Sequence, residues 1–366
     1  MRRLFLIVAA VVPALAFASH AIGDPLVGAI RWDAWQEDGK INAGVEASLG
    51  PSYWHQDRMP FFGRETGPNS VSIRGNLQAI MDQEIAYAAN AGIDYWAFVS
   101  YHEKDPLSNA LHLYLASSAK KRIHFCLDLQ GGIMVWMPDW HQEVARYVGY
   151  FKDPQYQTVL DHRPLVYLLQ PGKMQSKKWP DWLSIRAAID ELRQSSIAAG
   201  AGNPYIVVQG YGAAEDKTDL DLIGADAISA YAVSGGEKEG PPYAELAKKA
   251  SARWDEYKQT GAQVIPLVTS GWDHRTRAEH PLPWDSGGWL YYQTPTPAEL
   301  AQHLTDALQW VRSNPTADQA DAILIYAWNE HDEGGWICPT WNVPTQTIDT
   351  QRLDAIAQVL HQRAAQ

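Results

Sequence analysis

Eight short apolar runs alternate along the chain with amphipathic helical stretches, and this alternation constrains the fold more than any other feature of the sequence. The runs occupy 27–30, 94–99, 124–129, 164–169, 205–208, 227–230, 264–268 and 322–327. Helical patterns lie near 74–91, 106–120, 139–151, 181–199, 243–260 and 297–313, with a shorter stretch near 216–223 after the fifth run. Thr296-Pro297 followed by Glu299 is a helix-start signal. Strands that are apolar throughout must be covered on both faces, so they form a parallel sheet roofed by helices. No Gly-x-Gly-x-x-Gly fingerprint follows the first run, which argues against an open nucleotide-binding sheet. The expectation is an α/β fold consisting of a single (β/α)8 TIM barrel. Residues 36–72 are expected to form one extended loop after the first strand.

The N-terminus carries an address. Arg2 and Arg3 precede an apolar run, and Ala16-Phe17-Ala18 is a cleavage pattern. Residues 1–18 are expected to be a signal peptide and residues 19–366 the catalytic barrel domain, with the mature chain starting at Ser19 and residing in the periplasm or outside the cell. The run is too short for a stable membrane anchor, and no second one follows. Thirty Lys and Arg against 42 Asp and Glu give a net charge of −12, which excludes a nucleic-acid partner bound through its phosphates. Cys126 and Cys338 are expected to be two buried thiols. No metal-ligand spacing occurs, so neither a metal nor another cofactor is expected.

The chain has 16 Trp and 17 Tyr but only 7 Phe. A core alone would favour Phe, whereas Trp and Tyr offer a flat apolar face with a polar edge, suited to stacking on sugar rings. Active residues of such barrels project from the C-terminal strand ends. At or just beyond those ends stand Trp32, Asp33, Trp35, Tyr101, His102, Asp128, Gln209, Tyr231, Trp272, Asp273, Trp328, Asn329 and His331. These are the candidate contacts to a carbohydrate substrate.

Glu330 and Glu333 stand out after the last strand, two carboxylates three residues apart with Gly334 and Gly335 behind them. Such a pair suits the acid and base of glycosidic bond cleavage. The segment Ile323-Leu324-Ile325-Tyr326-Ala327-Trp328-Asn329-Glu330-His331-Asp332-Glu333-Gly334-Gly335-Trp336 resembles the last strand and loop of the glycoside hydrolase family 99-like group, which includes endo-α-mannosidases and carries a Trp-Asn-Glu-Trp-His-Glu-Gly signature. Trp328, Asn329, Glu330, Glu333 and Gly334 match it, and His331-Asp332 replaces the group's Trp-His. The resemblance implies a retaining glycoside hydrolase working through a 1,2-anhydro sugar, and with the N-terminal pattern the expectation is an exported enzyme acting on an oligo- or polysaccharide. In it Glu330 would take the 2-hydroxyl proton and Glu333 would act as general acid and then base. An acid next to another carboxylate should have a raised pKa, so Glu333 is expected to hold a proton and Glu330 to be ionised. Two alternatives stay open: a glycosidase of another mechanism with Asp273 or Asp128 as the second carboxylate, and a barrel that binds carbohydrate without turnover.

Overall fold

A computed structural model describes residues 24–35 and 39–363. The expected signal peptide, residues 1–18, and its cleavage site lie outside the described residues. All eight expected runs are strands: β1 (Leu26–Arg31), β2 (Tyr95–Val99), β3 (His124–Gln130), β4 (Arg163–Leu169), β5 (Tyr205–Gly210), β6 (Ala227–Ala230), β7 in two pieces (Gln263–Val264 and Leu267–Thr269) and β8 (Ala322–Tyr326). Each pairs in parallel with its sequence neighbours, and β1 pairs with both β2 and β8. The ring closes through β7: its first piece pairs with β6 and its second with β8. Pro266 lies between the pieces, where a residue without an N–H cannot continue a ladder.

Strand interiors are apolar because the barrel buries both of their faces. Tyr95 and Tyr167 share a hydrogen bond of 2.7 Å inside it. The ring of Tyr95 lies over Gly28, where an added Cβ would meet it at 2.2 Å, so β1 needs glycine at that point. Outside, the helix Trp182–Ala198 starts on a capping box between Asp181 and Ser184, and Pro297–Ser313 on one between Thr296 and Glu299, as the sequence predicts for the latter.

The segment 36–72 is not one extended loop. It contains the helices Lys40–Leu49 and Ser52–Arg58 and a hairpin of Gly63–Gly67 with Ser70–Ile73. Gly50-Pro51 ends one helix and begins the next, and Arg58 is buried as a partner of Asp273 at the barrel mouth. The short pattern near 216–223 is a full helix, Ala213–Ile223. Cys126 and Cys338 are both free and buried. Among the described residues no helix is long and apolar enough to cross a membrane.

Candidate active site

The chain leaves β8 through a tight hairpin. Asn329–Glu330 pairs antiparallel with Gly335–Trp336, and the single 3-10 turn His331–Glu333 joins them. Gly334 closes the turn with φ +78, a left-handed conformation that favours glycine. Asn329 anchors the hairpin: its side chain accepts from Trp32 N at 3.0 Å and donates to Asp33 at 3.1 Å. Asp33 is gripped by Arg31, Arg31 reaches Glu84 at 2.7 Å, and Glu84 accepts from Trp328 Nε1 at 2.9 Å. This buried network fixes the ends of β1 and β8 against each other.

The two glutamates occupy unlike surroundings. Glu330 is 2% exposed and accepts from the Tyr231 hydroxyl at 3.1 Å. Its other oxygen has no hydrogen-bond partner and lies 3.8 Å from Arg277 Nη2. Burial, then the charges of Glu333 and Asp332, push the Glu330 carboxyl well above its ordinary range, against the pull of Arg277 and the Tyr231 hydrogen bond. Glu333 is bound by Arg277 Nη1 and by the Tyr326 hydroxyl, and His274 Nε2 lies 3.4 Å away. Burial pushes Glu333 up as well, but Arg277, His274 and Tyr326 outweigh it and hold the carboxyl below the usual range. The surroundings therefore push the two carboxyls apart, Glu330 upward and Glu333 downward. That is opposite to the sequence expectation, because Arg277 was not in view: Asp332, the extra carboxylate expected to lift Glu333, binds Arg277 Nε at 2.8 Å.

A cavity of about 430 Å³ opens over the pair. Trp32, Tyr101 and Tyr231 line it together with Glu330, Glu333 and Arg277. Trp32 Nε1 donates to the Tyr101 hydroxyl at 2.6 Å, which fixes both rings. Trp284 meets Trp32 edge-on, with centroids 6.1 Å apart. The walls are thus aromatic and the floor is ionisable.

The other candidates are distributed around this cavity. Asp33, Trp328 and Asn329 belong to the buried anchoring network. Trp35 and His331 are buried edge to face, with centroids 5.9 Å apart; burial lowers the His331 pKa to about 3 and keeps the ring neutral. Asp128 is fully buried on β3 with the Gln209 amide 3.1 Å from both carboxyl oxygens, and burial pushes its pKa well up. Asp273 is held by Arg58 and Arg275. Neither aspartate is among the lining residues of the cavity. Trp272 stacks on His274 at 4.0 Å, one step behind Glu333. His102 is about a third exposed and lies 3.8 Å from Glu143, away from the pair.

The sequence reading missed Arg277, His274, Asp285, Trp284 and Tyr326. The first four follow β7 beyond Trp272-Asp273, and the alternation Arg275-x-Arg277 was the available signal. Among the described residues one trio could hold a metal: ligand atoms of His274, Asp285 and Glu333 lie within 4.8 Å of one another. Arg277 Nη1 already bridges the trio's two carboxylates, at 2.9 Å from Asp285, so a guanidinium supplies the positive charge there.

The barrel is similar to two structures of the GH99 endo-α-mannosidase from Bacteroides thetaiotaomicron. The one in complex with BIS-TRIS-propane superposes with a TM-score of 0.58 at 14% identity over 94% of this chain and 98% of that one. The other gives 0.56 at 15% identity over 94% and 99%. At these identities the likeness is one of fold, and it agrees with the family resemblance carried by the Trp328–Gly334 motif. No curated protein matches the chain. Residues 136–350, well over half of the sequence, match the family model described as Glycosyltransferase WbsX, and the chain belongs to that family.

Proposed function

We propose that the protein is an exported glycoside hydrolase that cleaves an oligo- or polysaccharide with net retention, through a 1,2-anhydro sugar, using Glu330 and Glu333. The observation that carries this is the unequal setting of the two carboxylates under an aromatic-walled cavity: one buried with an unpartnered oxygen and its pKa pushed up, the other in a cationic grip that holds its pKa down. Carboxylates whose surroundings push their pKa values apart are the usual acid and base of glycosidases.

The surroundings of Glu330 favour its protonated form and those of Glu333 its ionised form, so in this reading Glu330 is the donor to the leaving oxygen and Glu333 the acceptor of the 2-hydroxyl proton. This division is the reverse of the one the family resemblance implies. The sugar O2 attacks C1 as the C1–O bond to the leaving group breaks. Water then opens the three-membered ring at C1 and returns a proton to Glu330, while Glu333 gives its proton back to O2. A carboxylate held by Arg277 is a weak base, so the 2-hydroxyl must loosen that grip; Asp332 and Asp285 keep the guanidinium paired when it does.

The family's description favours a second outcome, in which the same pair transfers the sugar to a carbohydrate hydroxyl instead of water. Both are decided by incubating the purified protein with plant and microbial glycans and analysing the products. New reducing ends support hydrolysis, and longer chains without new reducing ends support transfer. No conversion of any glycan contradicts both. Brisk turnover of a 2-deoxy analogue, or inversion at the anomeric carbon seen by NMR, contradicts the anhydro route. N-terminal sequencing of exported material should find Ser19, and a retained Met1 would contradict export.

A further inference from the structure

We infer that the protein has a second carbohydrate-binding surface on the far side of the short helix Arg275–Glu279 from the carboxylate cavity, where it holds sugars of the same chain remote from the cleaved bond. This rests on the proposed glycosidase activity. The helix is one turn and a half long, so Arg275 and Glu279, four residues apart, share one face, while Arg277 points the other way into the carboxylates. On the Arg275 face lies a depression of about 500 Å³ lined by Tyr53, Trp54, Lys238, Arg275, Glu279 and Trp289.

Tyr53 is 60% and Trp289 56% exposed. Leaving two such rings in water forgoes the burial that elsewhere stabilises the fold, and a ring face framed by hydrogen-bonding groups suits a pyranose. The frame is fixed in advance. Glu279 accepts from the Tyr53 hydroxyl and from Trp54 Nε1. Arg275 is committed to Asp273 and lies over the rings of Trp54 and Tyr291. Tyr291, two residues beyond Trp289, bridges to both Glu237 and Asp273, which holds the Lys238 and Trp289 segments together. Lys238 is exposed and can donate to sugar hydroxyls. A surface on the helix that also carries Arg277 favours a substrate of several sugar units.

The test is electrophoresis of the native protein through gels cast with yeast α-mannan, xylan or pectin, comparing wild type with Trp289→Ala and with Tyr53→Ala/Trp289→Ala. At least one polymer should retard the wild type, and the double variant should bind it about tenfold more weakly. Both variants should melt like wild type, since the side chains are exposed. Equal retardation of wild type and double variant, or no retardation by any polymer, overturns the inference. The glycan incubation separates the two claims. Cleavage with unchanged retardation in the variant leaves the activity standing and removes this surface. Retardation that depends on Trp289 without cleavage of any glycan keeps a sugar-binding surface and removes the activity.

Discussion

Arg277 donates through Nη1 to the carboxylate of Glu333, and this contact orders the charges of the whole site. The same guanidinium binds Asp332 and Asp285 at 2.8 and 2.9 Å and ends 3.8 Å from Glu330. With a side chain only 3% exposed, it acts with little screening by water. It holds Glu333 below the ordinary carboxylate range, while burial and the neighbouring carboxylates push Glu330 above it against the pull of the same cation.

Replacing Arg277 by Gln should collapse that difference. Glu333, no longer held below the ordinary carboxylate range, would protonate at higher pH, so activity that requires its ionised form would be lost earlier as pH falls. In the wild type the decline belongs to the alkaline side, as Glu330 loses its proton at its raised pKa. Leaving the buried Asp332 and the partly buried Glu333 without their cation should also cost about 3–5 kcal/mol of stability. The pH profile of kcat/KM for Arg277→Gln and Arg277→Lys checks this. An unmoved acid limb in the Gln variant would contradict it.

His303 makes the fold acid-sensitive. It is 2% exposed, neither ring nitrogen has a partner, and it stacks on Trp254 at 5.4 Å. Burial lowers its pKa to about 3. The folded chain therefore refuses a proton that the unfolded chain accepts below about pH 6.5, and stability falls as pH drops from there towards 3. Near pH 5 the loss is about 2 kcal/mol for such a group. His303→Phe should lose less melting temperature between pH 7.5 and 5 than wild type does. An unchanged difference would show that other groups carry the sensitivity.

Gly334→Ala tests the turn that presents the pair. At φ +78 the new Cβ would stand 2.7 Å from Asp273 N, and that nitrogen donates to Glu333 O at 2.7 Å. The neighbour is backbone and cannot step aside cheaply. We expect a loss of about 1–3 kcal/mol and a fall in turnover of about tenfold or more. Wild-type melting and turnover would show that the turn tolerates a side chain.

The strands were legible because their apolar runs reflect burial on both faces, and the helix Pro297–Ser313 because Thr296 and Glu299 write its cap into the chain. Glu330 and Glu333 were legible because they are close in sequence and follow a strand. The segment 36–72 was not, since its helices are amphipathic only against a barrel mouth that other strands build. Arg277 was not, because an arginine two residues from both Arg275 and Glu279 looks like part of a solvated turn until folding brings Asp332 and Glu333 across 55 and 56 residues of sequence. Asp33 and Asn329 show the converse. They stand at strand ends like substrate contacts, yet each bonds the other, Asp33 also holds Arg31, and Asn329 also accepts from Trp32 N.

The most direct test of Glu330 as proton donor and Glu333 as ionised partner is the leaving-group dependence of their variants. Turnover of a glycoside with a sugar leaving group is compared with that of one carrying an activated aryl group, for Glu330→Gln and Glu333→Gln. A proton donor matters only when the leaving group needs the proton. Glu330→Gln should therefore lose on the order of 10²-fold or more on the sugar leaving group and much less on the aryl one, while Glu333→Gln should lose activity on both. The reverse pattern, with Glu333→Gln spared on the aryl substrate and Glu330→Gln inactive on both, would contradict this division of roles.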